Sequence, residues 1–378
     1  MFKVSSFLAV VASLVLAAFG VGATPAIKCV VNGTVTYQQG PCPSEQVRKR
    51  PTIQELNAEE KRRRAAVAAS APGKVAPATP TVSSGSMKMR ELLATRPVVV
   101  ADFPATALSW PSIAECAAVL VGSVDAVLAG DAGAARVQFP PAYRAHLIQS
   151  AGLAVWVGLN CRDRNRVAIE GELAALAHVG VAGIHSVTGD HTLVGSRPDA
   201  APVFDLDSTE LAALASRAGL LVSVAEAPAA PPVDRRPARL LEKERAGAEI
   251  CFVNHAGGVG PVRAFIEAAQ ALGSTMGFIP CVPIVIDRGS AELLQSFTTL
   301  VLPPGYLEGI LKADGPDGVF EAGVAAAVSL GRGFLDIDGV VGVNLSGGAG
   351  PGQALKFARA LARIGRELRN NPTYGAES

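Results

Sequence analysis

Carboxylates, amides and guanidinium groups recur in this chain directly after short β-branched runs. Asp102 follows Val98–Ala101, and Asp131 and Arg136 follow Ala126–Leu128. Asn160-Cys161-Arg162-Asp163-Arg164-Asn165 follows Ala154–Leu159, and Thr188-Gly189-Asp190-His191 follows Gly183–Val187. Asn254 and His255 follow Ile250–Val253, and Ser346-Gly347-Gly348-Ala349-Gly350-Pro351-Gly352 follows Val340–Leu345. Hydrogen-bonding groups gathered at one rim are what a small polar ligand requires. A glycine-rich turn leading into a helix N-terminus suits a phosphate, and equally serves as a loose turn at a crowded rim. The five histidines are scattered and no CxxC or HxxxH spacing occurs, so no metal site is expected.

The elements that must position these groups alternate. Further strand candidates are Leu220–Val224 and Met276–Ile279, giving eight in all. Helical stretches lie between them at Pro111–Val121, Arg166–Val179, Ser208–Ala218, Pro237–Ala246, Val262–Leu272 and Val319–Arg332, with a last helix from about Gln353 to Arg369. Eight βα repeats predict a (β/α)8 TIM barrel over residues 90–370, with its site at the C-terminal ends of the strands. An open doubly wound sheet is the alternative. Hydrophobic residues make up 49% of the 378, enough for a large core. A net charge of +1 and 5% aromatics give no field or stacking surface for nucleic acid.

The N-terminal part reads differently. Lys3, the apolar run Phe7–Phe19 and Val21-Gly22-Ala23 predict a signal peptide over residues 1–23, hence export to the periplasm and no stable membrane span after cleavage. Asn32-Gly33 between β-formers predicts a hairpin, and Thr52 with Glu55 a helix start, making a small hairpin–helix module of residues 24–69. Cys29 and Cys42 flank the hairpin at a spacing that allows pairing in an oxidising compartment. Cys116, Cys161, Cys251 and Cys281 read as buried small hydrophobes. Lys61–Arg64 reads as a solvated helix face. Residues 70–89 read as an Ala/Pro/Ser/Thr linker. A start at Met87 or Met89 would remove signal and module together and leave a cytoplasmic barrel. The oligomeric state is open.

Three segments carry a resemblance. Leu159–Asn165, His185–Asp190 and Val203–Ser208 resemble the Leu-Thr-Cys-Arg-Asp-Arg-Asn, Leu-Ala-Leu-Thr-Gly-Asp and Val-Phe-Asp-x-Asp-Ser runs of bacterial methylenetetrahydrofolate reductases, and Ala246-Gly247-Ala248 opens a strand as it does there. The hairpin stretch, with Lys28-Cys29 and Pro41-Cys42-Pro43, resembles a short uncharacterised module of proteobacterial envelope proteins.

The first resemblance implies a flavin-dependent oxidoreductase that passes hydride from NADH or NADPH through FAD to a folate-type one-carbon substrate. It implies Asp190 and Asp102 as catalytic residues, Asn254 as a substrate-binding amide, and Asn160, Thr188 and Lys243 as cofactor contacts. Arg162 and Asp163 are expected to pair locally and shape their loop. The sequence departs from the family pattern at Gly158, Ala227, Pro231 and Glu242. Those departures, and the clash between export and cytosolic substrates, give two other expectations. One is a catalytically degenerate exported barrel serving as an envelope binding or scaffold protein; the other is a pterin-type enzyme without flavin.

Overall fold

The computed structural model describes residues 27–31, 34–38, 55, 58–59, 61–62, 83–131, 136–297, 300–315 and 317–370. The expected signal peptide, the Asn32-Gly33 turn, the Thr52 cap, Cys42 and residues 70–82 lie outside these, as does the question of a Cys29–Cys42 bond. In the N-terminal unit, strands β1 (Ile27–Val31) and β2 (Thr34–Gln38) pair antiparallel with Val31 opposite Thr34, a register that leaves two residues between them.

In the larger unit, eight parallel strands close on themselves in the order β10-β3-β4-β5-β6-β7-β8-β9. They are β3 (Val98–Asp102), β4 (Ala126–Ala129), β5 (Val155–Asn160), β6 (Gly183–Val187), β7 (Val222–Glu226), β8 (Ile250–Val253), β9 (Gly277–Pro283) and β10 (Gly342–Ser346). Eleven described helices accompany them: α1 (Ser84–Thr95), α2 (Trp110–Leu120), α3 (Pro141–Ser150), α4 (Arg166–Val179), α5 (Ser208–Arg217), α6 (Arg236–Arg245), α7 (Val259–Ala271), α8 (Arg288–Gln295), α9 (Tyr306–Leu311), α10 (Gly318–Leu335) and α11 (Ala354–Arg369). The fold is a (β/α)8 TIM barrel.

Both faces of each strand are buried, so the strands are near-continuous apolar runs. Alternation sorts the side chains. Val99, Ala101, Val157, Leu159, Val222, Val224, Val343 and Leu345 pack outward against helix residues such as Ile113, Ile148 and Leu361. Val98, Val100, Ala126, Trp156, Phe252 and Ile279 fill the interior. Trp156 and Phe252 meet edge to face with centroids 5.3 Å apart, and His185 leans on Phe252 at 4.8 Å. Gly183 is required there, because a Cβ would enter the indole of Trp156. His185 bonds Ser223 Oγ through Nδ1 at 2.9 Å; burial, helped by the charge of Lys243, pushes its pKa down to about 4, so it packs neutral.

Helix α1 floors the barrel. The Ser83 and Ser86 hydroxyls both donate to the Val181 carbonyl at 3.0 Å, and Met89, 3% exposed, joins the interior cluster. Gly85 lets the helix lie against the Gly180–Val181 backbone, with which any Cβ would collide. Just above, the buried Asp125 takes Arg96 at 2.6 Å, Arg369 at 3.6 Å and the Val99 amide at 2.8 Å, tying α1, β3 and the C-terminal helix together. Helix α10 is long and apolar enough to cross a membrane by length and composition, but it packs by Val324, Ala327, Val328 and Phe334 into the barrel's helix layer.

The structure departs from the sequence reading in several places. Residues 84–89, expected as linker, begin α1: Ser83 caps it, and its anchoring is by backbone approach that composition does not reveal. Strand β7 lies two residues later than expected, and β9 runs four residues further, to Pro283. Helices α3, α8 and α9 were not anticipated; α3 buries Arg144 among its apolar positions, which breaks the stripe a sequence pattern shows. Placing Val at Gly85 is expected to lower the unfolding free energy of the barrel by roughly 2–4 kcal/mol, read from denaturant titrations; an unchanged midpoint would mean that α1 is not seated on the floor.

Candidate functional site

The β5 end is organised by one amide. Asn160, the last residue of β5, points inward and is 1% exposed. Its backbone N–H and Nδ2 donate to Asp131 Oδ2 at 2.9 and 2.8 Å, Nδ2 also reaches Asp163 Oδ2 at 3.1 Å, and its Oδ1 accepts from the Asp163 amide at 3.1 Å. Arg164 donates to the same Oδ2 through Nη1 at 2.6 Å and to Oδ1 through Nη2 at 3.3 Å. Arg162 forks onto Asp163 through Nε at 2.7 Å and Nη2 at 2.8 Å, the local pair expected from the sequence. Burial alone would raise the Asp163 pKa; the bonds and charge of Arg162, with Asn160 and Arg164, more than reverse this and hold it below the ordinary value. The loop Asn160–Asn165 therefore satisfies itself before any ligand arrives, and Asn165 then caps α4 by accepting from the Ala168 amide.

The next strand end differs. Thr188 Oγ1 accepts from the Ser208 amide at 3.2 Å, holding the start of α5. Gly189 turns with φ +85°, a conformation that suits glycine, and it backs against the Asn160 and Arg162 side chains. This turn carries Asp190, an exposed residue at the strand-end rim. Arg162 Nη1 donates to the Asp190 carbonyl at 3.3 Å, while no described residue donates to its carboxylate. Crowding by the rim pushes the Asp190 pKa up and Arg162 opposes the shift. Across the mouth, the Asn254 backbone N–H bonds Glu226 O at 2.8 Å and its half-buried side-chain amide has no described partner.

Asp102 is the last residue of β3 rather than the first of a loop. Its Oδ1 accepts from Asn344 Nδ2 at 2.9 Å and its Oδ2 from the Gly347 amide at 3.1 Å. Burial raises its pKa, and the donors from Asn344, Gly347 and Ser346 work against that rise. The first N–H of the glycine-rich loop is thus spent on a carboxylate of the protein itself. Asn344 was not singled out from the sequence; lying mid-strand between Val343 and Leu345, it carried no signal there beyond its inward parity. His255 follows β8 and buries both ring nitrogens; the Cys281 backbone lies beside it, short of a formed hydrogen bond, and burial lowers its pKa to about 4.

Lys243, expected to meet the FAD phosphates, does not face the mouth. Glu226 ends β7 on its outer side, 1% exposed, and Lys243 Nζ from α6 meets it at 2.5 Å, with Arg236 at 3.4 Å. Lys243 also donates to the Ala225 carbonyl at 2.6 Å. Gly158, where the family resemblance implies a histidine against the flavin, faces the Asp131 amide and the Gly130 Cα, which a Cβ would approach to 3.0 and 3.1 Å. The chain ending β4 would have to give by a few tenths of an ångström to admit a Cβ there. Among the described residues no group of three or more His, Cys, Asp or Glu side chains is placed to hold a metal. Cys116, Cys161, Cys251 and Cys281 are buried.

No protein-family model matches the chain, and no curated protein matches it. Many solved structures do. One, oxaloacetate acetylhydrolase with the product oxalate, is 14% identical with a TM-score of 0.39, over 54% of this chain and 73% of the other. Another, 2,3-dimethylmalate lyase, described as a PEP mutase/isocitrate lyase superfamily member, is 15% identical with a TM-score of 0.43, over 75% and 82%. An uncharacterized protein from Clostridium thermocellum, described as binding two copies of 5-methyl-5,6,7,8-tetrahydrofolic acid, is 12% identical with a TM-score of 0.52, over 75% and 99%. At such identities the likeness shows the fold.

The neighbour with a TM-score of 0.52 is described by a reduced folate and not by a flavin, and the identity of a methylenetetrahydrofolate reductase is not shown. The expectations of an FAD-dependent oxidoreductase, of FAD itself and of NADH or NADPH as reductant are therefore corrected. The geometry gives a physical reason. Lys243 is committed to Glu226, Asn160 to Asp131 and Asp163, Thr188 to α5, and a Cβ at Gly158 would press on the Asp131 amide at 3.0 Å. Replacing Lys243 by Met is accordingly expected to cost roughly 3 kcal/mol of stability, since it strips Glu226 of its nearer cation, with much of the loss recovered in Glu226→Gln/Lys243→Met. A denaturation midpoint unmoved by Lys243→Met would put this lysine in solvent, as a phosphate-binding role requires.

Proposed function

We propose that the barrel binds a small nitrogen-rich heterocycle of the reduced-pterin class at the C-terminal mouth of its strands, without flavin chemistry. The observation that carries this is the contrast among the mouth carboxylates. Asp131 and Asp163 are consumed by arginines and amides of the fold, while Asp190 presents a carboxylate that no described residue bonds. The turn at Gly189 spends its conformational freedom on projecting that group. Asn254 offers an unengaged amide, a donor and an acceptor, from the strand end two places on.

A carboxylate and an amide facing one opening match ring N–H groups and ring carbonyls, the pattern of a pterin edge. The structural neighbour described as binding 5-methyltetrahydrofolate supports this ligand class, since it shares the barrel over three quarters of this chain. In such a complex Asp190 accepts from ring N–H and steadies positive charge on the reduced ring, and Asn254 fixes the ring's orientation.

Isothermal titration of the purified protein with 5-methyltetrahydrofolate tests the reading. Saturable binding is expected, weakened about 10- to 100-fold by Asp190→Asn, the range for losing a hydrogen bond to a charged group. Absence of binding up to millimolar ligand by a folded protein would refute it, and so would binding that Asp190→Asn leaves unchanged.

A further inference from the structure

The interior wall of the mouth formed by β9, β10 and β3 carries polar groups that the fold does not saturate. Gly342, Asn344 and Ser346 alternate with the outward-packed Val343 and Leu345, so Asn344 points into the barrel. It is 1% exposed. Its Nδ2 is fully used: one hydrogen goes to Asp102 Oδ1 at 2.9 Å, the other faces Cys281 Sγ at 3.7 Å. Its Oδ1 is buried without any partner. An amide oxygen removed from water and left unbonded costs free energy, which a donor from a ligand would recover.

Asp102 stands beside it with the same bias. Its oxygens receive donors from Asn344 and Gly347, with the Ser346 hydroxyl adding a third, which leaves the carboxylate one further lone-pair site. The two side chains are locked to one another, so their relative position is set before a ligand binds. Together they offer adjacent acceptors with the neighbouring donors already spent. Asp102 ends β3 on the mouth side of Asn344, which pairs with Val100 two residues earlier.

Resting on the pterin reading above, we propose that Asp102 and Asn344 form a subsite that accepts hydrogen bonds from the paired N–H edge of a 2-amino-4-oxopyrimidine ring. That edge sets an exocyclic amino group next to a ring N–H, two parallel donors that match two adjacent acceptors. The subsite thereby gives the barrel a preference for rings carrying the 2-amino group over rings that lack it. It reads the pyrimidine end of the ligand, while Asp190 and Asn254 serve the remainder of the ring system.

The test is on the ligand first, because Asp102 and Asn344 lie inside the barrel and their variants risk misfolding. Titrations of the wild-type protein compare 5-methyltetrahydrofolate with its 2-desamino analogue, and isocytosine with pyrimidin-4-one. The 2-amino member of each pair is expected to bind about 10- to 100-fold more tightly. Asp102→Asn, checked for native unfolding behaviour, is expected to abolish that preference while changing the affinity for the 2-desamino ligands little. Preference within the isocytosine pair together with no binding of 5-methyltetrahydrofolate would keep the subsite and refute the folate-class reading. Binding of 5-methyltetrahydrofolate with no 2-amino preference would keep that reading and overturn the subsite. Binding of none of the four ligands overturns both.

Discussion

A closed barrel of eight strands has an interior only wide enough for side chains, so each residue at a strand end is assigned by parity to the mouth or to the helix layer. That assignment decides the chemistry here. Asp102, Asn160 and Asn344 fall on inward positions and meet other polar groups around the opening. Glu226 is one residue past an inward position and falls outward, against α6, where burial demands a cation; Lys243 and Arg236 supply it. Shifting β7 by a single residue would exchange these fates. The strand boundaries, more than the residue types, separate a group that faces a ligand from one that holds two layers together.

The polar groups of the mouth divide by whether the fold completes their hydrogen bonds. The Asp131–Asn160–Asp163 knot and its two arginines are closed, and such a network is rigid because every member is satisfied. Asp190, Asn254 and the Asn344 oxygen are open. The closed knot also supports an open member. Gly189 packs on the Asn160 and Arg162 side chains, and Arg162 holds the Asp190 carbonyl, so the knot sets where the free carboxylate points. At the opposite end, the floor helix and the Asp125 clamp contribute stability with no access to the mouth, the usual division of labour between the two faces of this architecture.

How much of this was legible depends on whether the signal was local. Helix α4 begins and ends where the sequence indicates, because Asn165 caps it and Gly180, with φ +78°, terminates it within the chain's own near neighbourhood. The barrel was legible from the repeat of strand and helix patterns, since each repeat is self-announcing. The β7 boundary was not, because Leu220 and Leu221 are as apolar as the strand proper and only the pairing of Ser223 with Ile250 fixes the register. The seat of α1 depends on Gly85 meeting the backbone of residues 180 and 181, a contact across almost a hundred positions. Asp190 and Asn254 were legible as polar residues after strands, but their freedom from partners is a property of the surroundings alone.

The same distinction explains why the most specific motif in the chain pointed to the wrong chemistry. Asn160-Cys161-Arg162-Asp163-Arg164-Asn165 is rich in groups that suit a cofactor, yet each charged or amide side chain in it that the structure defines is bonded to another part of the loop, to Asp131 or to the helix it caps. Even Cys161 is fully buried. A segment of this kind is retained whenever the loop must keep its shape, whatever binds above it, because losing one member leaves buried partners unpaired. The departures from the flavin-binding pattern that the resemblance implies fall outside that loop, at single positions such as 158, 227 and 231. The motif therefore marks the shape of a loop, while the groups that the fold leaves open at the mouth are Asp190, Asn254 and the Asn344 oxygen.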